Sequence, residues 1–279
     1  MKLHRVAIVV PLRSEPSLTD AEKLSLRHLD HFLGQYPKYF VSPPNVCLER
    51  EGFETVHFSS RYFGSVLAHN RLLISKKFYR AFSHYEFVLI YHPDALVFSD
   101  QLEYWCTRGF DLIAPPWIPG PDSPWLREPG VGCGGFSLRR VDAFLRLLGS
   151  QRRWREISAV EGKARFRVAR LEGIRELLKK IYFYSYRLNG VKQESRAHVE
   201  RGGNEDRFWW KRGQHYFPGL KIAPVETALE FGFEVNPAKC LQMNRGRIPF
   251  GCHAWEQYDR AFWEPLLLNE RDEGSDALG

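Results

Sequence analysis

The stretch FVLIYHPDALVFSD, Phe87 to Asp100, decides how the chain is read. Its opening, Phe87-Val-Leu-Ile, is a continuous apolar run of the kind that a strand covered on both faces requires. Directly after it, His92 and Asp94 stand two residues apart in a short turn around Pro93. A carboxylate in that position has two readings. It accepts backbone N–H groups in an Asx-type turn, or it holds a divalent cation that neutralises a diphosphate.

Upstream, Val6-Ala-Ile-Val-Val10 is a β-branched run ended by Pro11, and Phe53 to Phe58 alternates as a second strand. Apolar residues at Val66, Leu67, Leu73, Ile74, Phe78 and Phe82 predict a helix between them. Downstream, Ser99 or Asp100 is the expected N-cap of a short helix in SDQLEYW. Asp111-Leu-Ile-Ala then reads as a strand stopped by Pro115 and Pro116, followed by a Pro/Gly-rich loop to Gly130. GVGCGGFSLRRVDAFLRLL gives a glycine turn, a strand from Phe136 and a helix with Val141, Phe144, Leu145 and Leu148 on one face. Strands alternating with helices predict an α/β domain with a largely parallel sheet, whose ligands sit beyond the carboxyl ends of the strands.

Residues 151–203 break this alternation. Leu171, Ile174, Leu178 and Ile181 form a helical stripe among Lys and Arg, so the segment reads as a basic helical insertion within a single domain spanning 1–279. Residues 265–279 read as a flexible C-terminal tail. The formal charge is +7, yet residues 151–201 hold fourteen Lys or Arg against six Glu. That local +8 leaves −1 for the rest, which argues against nucleic-acid binding by the whole protein and leaves peripheral contact with an anionic membrane open for 151–201. No run of about 18 apolar residues occurs. The N-terminus reads as a first strand and not a signal peptide, which predicts a cytoplasmic protein, peripheral to the inner membrane face if the insertion engages lipid. Five scattered cysteines without a CxxC pair predict neither a structural zinc site nor a disulfide framework.

Three further stretches carry candidate chemistry. Gly130, Gly132, Gly134 and Gly135 allow the backbone either a tight turn or a close approach to a ligand. In GGNEDRFWW, Asn204 is the expected N-cap, and Glu205 and Asp206 are either first-turn acids or a source of a general base. In PFGCHAW, His253 is either a hydrogen-bonded partner or a ligand suited to Mn²⁺ beside a carboxylate. No GxSxG or HExxH motif occurs.

Taken in order, the strand ending in D-A-L-V-F, then DQLEYW, FDLIAPPW, VGCGGFSLRRV, NEDRFW, KIAPVETALEFGFE and PFGCHAW resemble an uncharacterised domain family regarded as glycosyltransferase-like. That family is related to nucleotide-sugar transferases of the GT-A fold. The resemblance covers about 1–150 and 203–260. It implies a GT-A-like, Rossmann-like mixed sheet flanked by helices, a nucleoside-diphosphate sugar as donor and Mn²⁺ or Mg²⁺ as the metal. A glycan or lipid-linked acceptor and an inverting course go with it. Residue by residue, Asp94 and His253 are implied as metal ligands, and Glu205 and Asp206 as the acidic pair supplying the base. Pro11, Arg13, Asn70, Arg71 and His92 are implied on the nucleotide side, and Gly134, Gly135 and Phe136 in the turn lining the sugars. His92 departs from the acid or amide usual there, and Cys133 from the usual Asn. A protein that keeps the fold for binding after losing catalysis is therefore the alternative, with an anionic-membrane or nucleic-acid binder acting through the insertion as a third.

Overall fold

The computed structural model describes residues 5–14, 17–152 and 190–268. In chain order the first elements are β1 (Val6–Pro11), α1 (Asp20–Leu33), β2 (Lys38–Ser42), β3 (Phe53–His57), α2 (Val66–Leu73), α3 (Lys76–Ala81), β4 (Phe87–Tyr91) and β5 (Leu96–Val97). Next come α4 (Leu102–Thr107), β6 (Leu112–Ile113), β7 (Pro116–Trp117), β8 (Gly130–Val131), β9 (Phe136–Arg140) and α5 (Val141–Leu148). After residues 153–189 follow α6 (Val191–Glu200), α7 (Glu205–Tyr216), α8 (Val225–Phe231), β10 (Gly232–Phe233), α9 (Pro237–Met243), β11 (Gly251–Cys252) and α10 (Arg260–Trp263).

The main sheet has the order β3-β2-β1-β4-β9-β6. Its first four strands are parallel, and β9 runs antiparallel to both neighbours. The fold is thus a mixed, mainly parallel sheet between helices, as the alternation of elements predicted. Period-two geometry explains the apolar runs: alternate side chains of a strand face opposite sides. Val6, Ile8 and Val10 of β1 enter one core with Phe87, Leu89 and Tyr91 of β4, Phe136 and Leu138 of β9, and α1. Ala7, Val9, Val88 and Ile90 enter a second core, beneath α3, α5 and α7.

Local chemistry moves several boundaries. The helical pattern over 66–82 forms two helices, because the Ser75 hydroxyl accepts the Lys77 N–H and caps a second start. The SDQLEYW helix begins at Leu102 with Gln101 as N-cap. Asp100 instead accepts bonds from Gln35 and Tyr36. The stripe Leu171, Ile174, Leu178 and Ile181, like most of the basic insertion, lies outside the described residues. Among the described residues no helix is long and apolar enough to cross a membrane.

The chain's last described residues are tied down by a buried histidine. His28 Nδ1 lies 3.0 Å from the Val97 carbonyl, and its Nε2 accepts the Leu268 N–H at 3.0 Å. Leu266 and Leu267 pack against a third cluster containing Trp255 and Trp263.

Phe136 stands where the sheet meets the smaller β10-β11-β5 sheet, with Phe231 at 5.0 Å, Phe250 at 5.6 Å and Tyr91 at 6.0 Å between ring centroids. Phe136→Ala is expected to destabilise the fold by about 3–5 kcal/mol in urea denaturation, the cost of a large buried cavity. Burial lowers the His28 imidazole to about 4. Since the unfolded chain binds that proton more readily, the contribution of His28 is full above about pH 6.5 and declines as pH falls toward 4. Denaturation series should lose about 3 kcal/mol over that window from this group, and less in His28→Phe.

Candidate functional site

Strand parity sets the site's first member. Counting on from Val88 and Ile90, His92 faces the second core, where its Nε2 lies 3.0 Å from His69 Nε2 on α2. The His92 N–H donates to the Gly135 carbonyl at 2.7 Å, extending the β4–β9 ladder one step past Tyr91–Phe136. Burial, then the neighbouring His69 and His253, holds His92 well below the ordinary imidazole value, and burial brings His69 to about 4. The two rings therefore meet as neutral groups sharing one proton donor.

The turn after β4 closes with the Ala95 N–H on the His92 carbonyl, Pro93 supplying its fixed φ. Asp94 projects from it with 48% of its side chain exposed. The antiparallel pairing of Cys252 with Leu96 brings His253 against this turn, with Nε2 3.3 Å from Asp94 Oδ1. On the other side of the ring, Nδ1 is 2.7 Å from Glu234 Oε1, and Glu234 also accepts the Trp117 indole N–H at 2.6 Å. Against the cost of burial, Cys133 and then Asp94 hold the His253 imidazole well above its usual value. Burial would raise Asp94, but His253 outweighs it and holds that carboxyl well below its usual range. Burial pushes the Cys133 thiol up to about 12, which leaves the Asp94 carboxylate as a charged partner of the ring.

Glycine is required at Gly135, where a Cβ would overlap the His253 ring. Beside it the Gly134 N–H donates to Asp206 Oδ2 at 2.9 Å. Asp206 is half-buried in the first turn of α7, and burial, then Glu205 and Glu234, raises its carboxyl well above the usual value. Glu205 is differently placed. It is 1% exposed and forms a two-pronged ion pair with Arg139, at 2.7 and 3.1 Å. Arg139 is buried by the same period-two rule that points Phe136 and Leu138 to the opposite core, and it also donates to Tyr79 and Ser137.

Asp94, His92, His253, Gly134, Gly135 and Asp206 thus converge on the carboxyl edge of β4. The other expected residues are committed to other partners. Phe136, expected to line the sugars, is sealed in the aromatic core because its strand position faces inward. Glu205, expected as a base, is committed to Arg139. Asn70, expected on the nucleotide side, caps α7 by accepting the Glu205 N–H at 3.0 Å, while Asn204 occupies the cap position without capping its own helix. Arg71 pairs with Glu200 at 3.5 Å, and Arg13 is an exposed residue bound to Glu22. Pro11 is buried at the end of β1. The residues missed from sequence are His69, Glu234, Trp117 and Arg139. Arg139 left a signal: an Arg at an inward position of FSLRR calls for a buried carboxylate.

The imidazole nitrogens and carboxylate of His92, Asp94 and His253 offer ligand atoms within 4.8 Å of one another. This set fits a divalent cation, because His253 Nε2 is buried without a hydrogen bond while Nδ1 is oriented by Glu234. Cys133, Glu234 and His253 form a second, overlapping group of the same span.

Residues 52–253 match the family described as Protein of unknown function (DUF5672). The chain belongs to that family. No curated protein matches it. Among solved structures it is similar to the galactosyltransferase LgtC in complex with donor and acceptor sugar analogs, at 12% identity over 96% of this chain and 98% of that one, TM-score 0.45. It is also similar to a glycosyltransferase involved in glycosylation of the major capsid of PBCV-1, at 9% identity over 94% and 98%, TM-score 0.46. The apo-form glycosyltransferase GlyE of Streptococcus pneumoniae TIGR4 matches at 12% over 95% and 61%, TM-score 0.43. The chain spans 61% of the length of GlyE and 59% of that of the mannosyltransferase Ktr4p of S. cerevisiae.

Removing one partner of a buried ion pair leaves a desolvated charge. Glu205→Leu is expected to cost this DUF5672 protein about 3–5 kcal/mol in urea denaturation, with Arg139→Met/Glu205→Leu recovering most of the loss.

Proposed function

We propose that the protein transfers a sugar from a nucleoside-diphosphate donor to a hydroxyl of a glycan or lipid-linked acceptor, with inversion. The observation carrying this reading is the pairing of two unlike carboxylates across the Gly134–Gly135 turn. Asp94 is half exposed, depressed and backed by His253, so it suits a cation facing a diphosphate. Asp206 is raised and accepts the Gly134 N–H, so it suits uptake of the acceptor's proton.

The acceptor oxygen attacks the anomeric carbon, the bond from that carbon to the diphosphate oxygen breaks, and the hydroxyl proton passes to Asp206. The nucleoside diphosphate leaves with the bonding electrons. Glu205 takes no proton in this scheme. With Arg139 it fixes the first turn of α7 and thereby the neighbouring Asp206. Asp94, His253 and His92 would hold Mn²⁺ or Mg²⁺, with Glu234 orienting the His253 ring. When bound, the cation supplies charge neutralisation of the leaving diphosphate. Gly135, with no side chain, leaves room for the His253 ring next to the turn.

The test is turnover of a panel of uridine, guanosine and cytidine diphosphate sugars with Mn²⁺, alongside calorimetric binding of the matching diphosphates. Asp206→Asn should lower turnover by about a hundredfold or more while leaving diphosphate affinity within a few-fold. Asp94→Ala should abolish metal-dependent diphosphate binding. Undiminished turnover in Asp206→Asn would remove the base assignment, and no turnover with any donor would remove the enzyme reading.

A further inference from the structure

A cavity lies away from the carboxylate–histidine cluster. It measures about 810 Å³ and opens between the start of α3, the end of α5 and the start of α6. Among the described residues, seven Lys and Arg side chains line it and no acidic one does, so these residues give it a positive field. Glu200 partly neutralises two of them, Arg71 and Arg196. The other five, Arg61, Lys76, Lys77, Arg80 and Lys192, have no carboxylate partner among the described residues.

Three features make this more than a solvated basic face. Lys76 is only half exposed, and its ammonium group is turned back toward Gly149 on the cavity floor, where a Cβ would sit 3.1 Å from Nζ. Lys76 has no carboxylate partner there among the described residues, so its charge is available to an anion. Arg71 Nε is also buried without a hydrogen-bond partner. Moreover, Lys76 and Arg80 stand four residues apart on α3, a like-charge spacing that opposes the helix. A concave wall of cations focuses an attractive field on multiply charged anions. The amides of Gln151 and Gln193 add N–H donors that match phosphate oxygens.

We infer that this cavity is a second binding site, for a ligand carrying several phosphate groups. Clustered phosphates supply the charge density that five cations without a carboxylate partner among the described residues call for within one cavity, where a single carboxylate would not. The inference stands apart from the sugar-transfer reading, since it uses neither Asp94 nor Asp206 and needs no turnover.

The experiment is calorimetric titration of the full chain with inorganic tripolyphosphate, alongside flotation with phosphatidylcholine vesicles containing phosphatidic acid. Saturable binding of tripolyphosphate identifies a soluble ligand, and binding to the vesicles alone identifies a lipid headgroup. In either arm the Lys77→Glu/Arg80→Glu variant should weaken binding by about tenfold or more, because two charge contacts become repulsive. Lys192→Glu, on the opposite wall, should weaken binding in the same direction. Lys77, Arg80 and Lys192 are exposed, so melting temperatures should stay near that of the parent, and Lys23→Glu on α1 should leave affinity unchanged. The inference is overturned if neither probe binds, if the charge reversals leave binding intact, or if His253→Ala abolishes it while they do not.

Discussion

The buried pair between Arg139 and Glu205 is the constraint on which the candidate site depends. Arg139 belongs to the antiparallel strand β9, whose first residues follow directly from the Gly134–Gly135 turn. Glu205 opens helix α7, sixty-six residues later in the chain. Two parallel hydrogen bonds fix distance and orientation together, which a single contact would not. Asp206, the next residue, then lies against the Gly134 N–H. The pair also fixes which acid is free. Of two adjacent carboxylates beside the turn, the one nearly removed from solvent neutralises an arginine and the other accepts the Gly134 N–H.

A second register assembles the opposite wall. β5 and β11 form only two paired positions, yet they determine that His253 emerges beside Asp94. Glu234, just after β10, then meets the far side of the imidazole. Trp117, Glu234, His253 and Asp94 form a continuous polar line from the Pro-rich loop to the turn after β4. Such a line holds one ring orientation, because rotating the imidazole would break its contacts with Glu234 and Asp94 together. The aromatic cluster of Phe136, Phe231 and Phe250 lies beneath it and packs the two sheets together.

Much of the architecture was legible in order and period. The apolar runs at Val6 and Phe87 announced strands covered on both faces, and the FSLRR strand and VDAFLRLL helix followed from parity and spacing. Asp94, His253 and the glycine turn stood out as residue types that a strand end does not otherwise need. Helix starts were less legible. Ser75 split one predicted helix in two, and α7 is capped by Asn70 from a different helix, which no local motif can reveal.

What the sequence by itself determined is the layered α/β fold and the set of polar residues gathered at the strand ends. Alternation and β-branching act locally and leave their imprint residue by residue. What only the tertiary structure decided is the division of labour within that set. Phe136 faces a core, Glu205 neutralises Arg139, Asn70 caps a helix, and Asp94 and Asp206 are shifted in opposite directions. Each of these depends on burial and on partners distant in the chain, and electrostatic environment is a property of neighbours in space, not of neighbours in sequence.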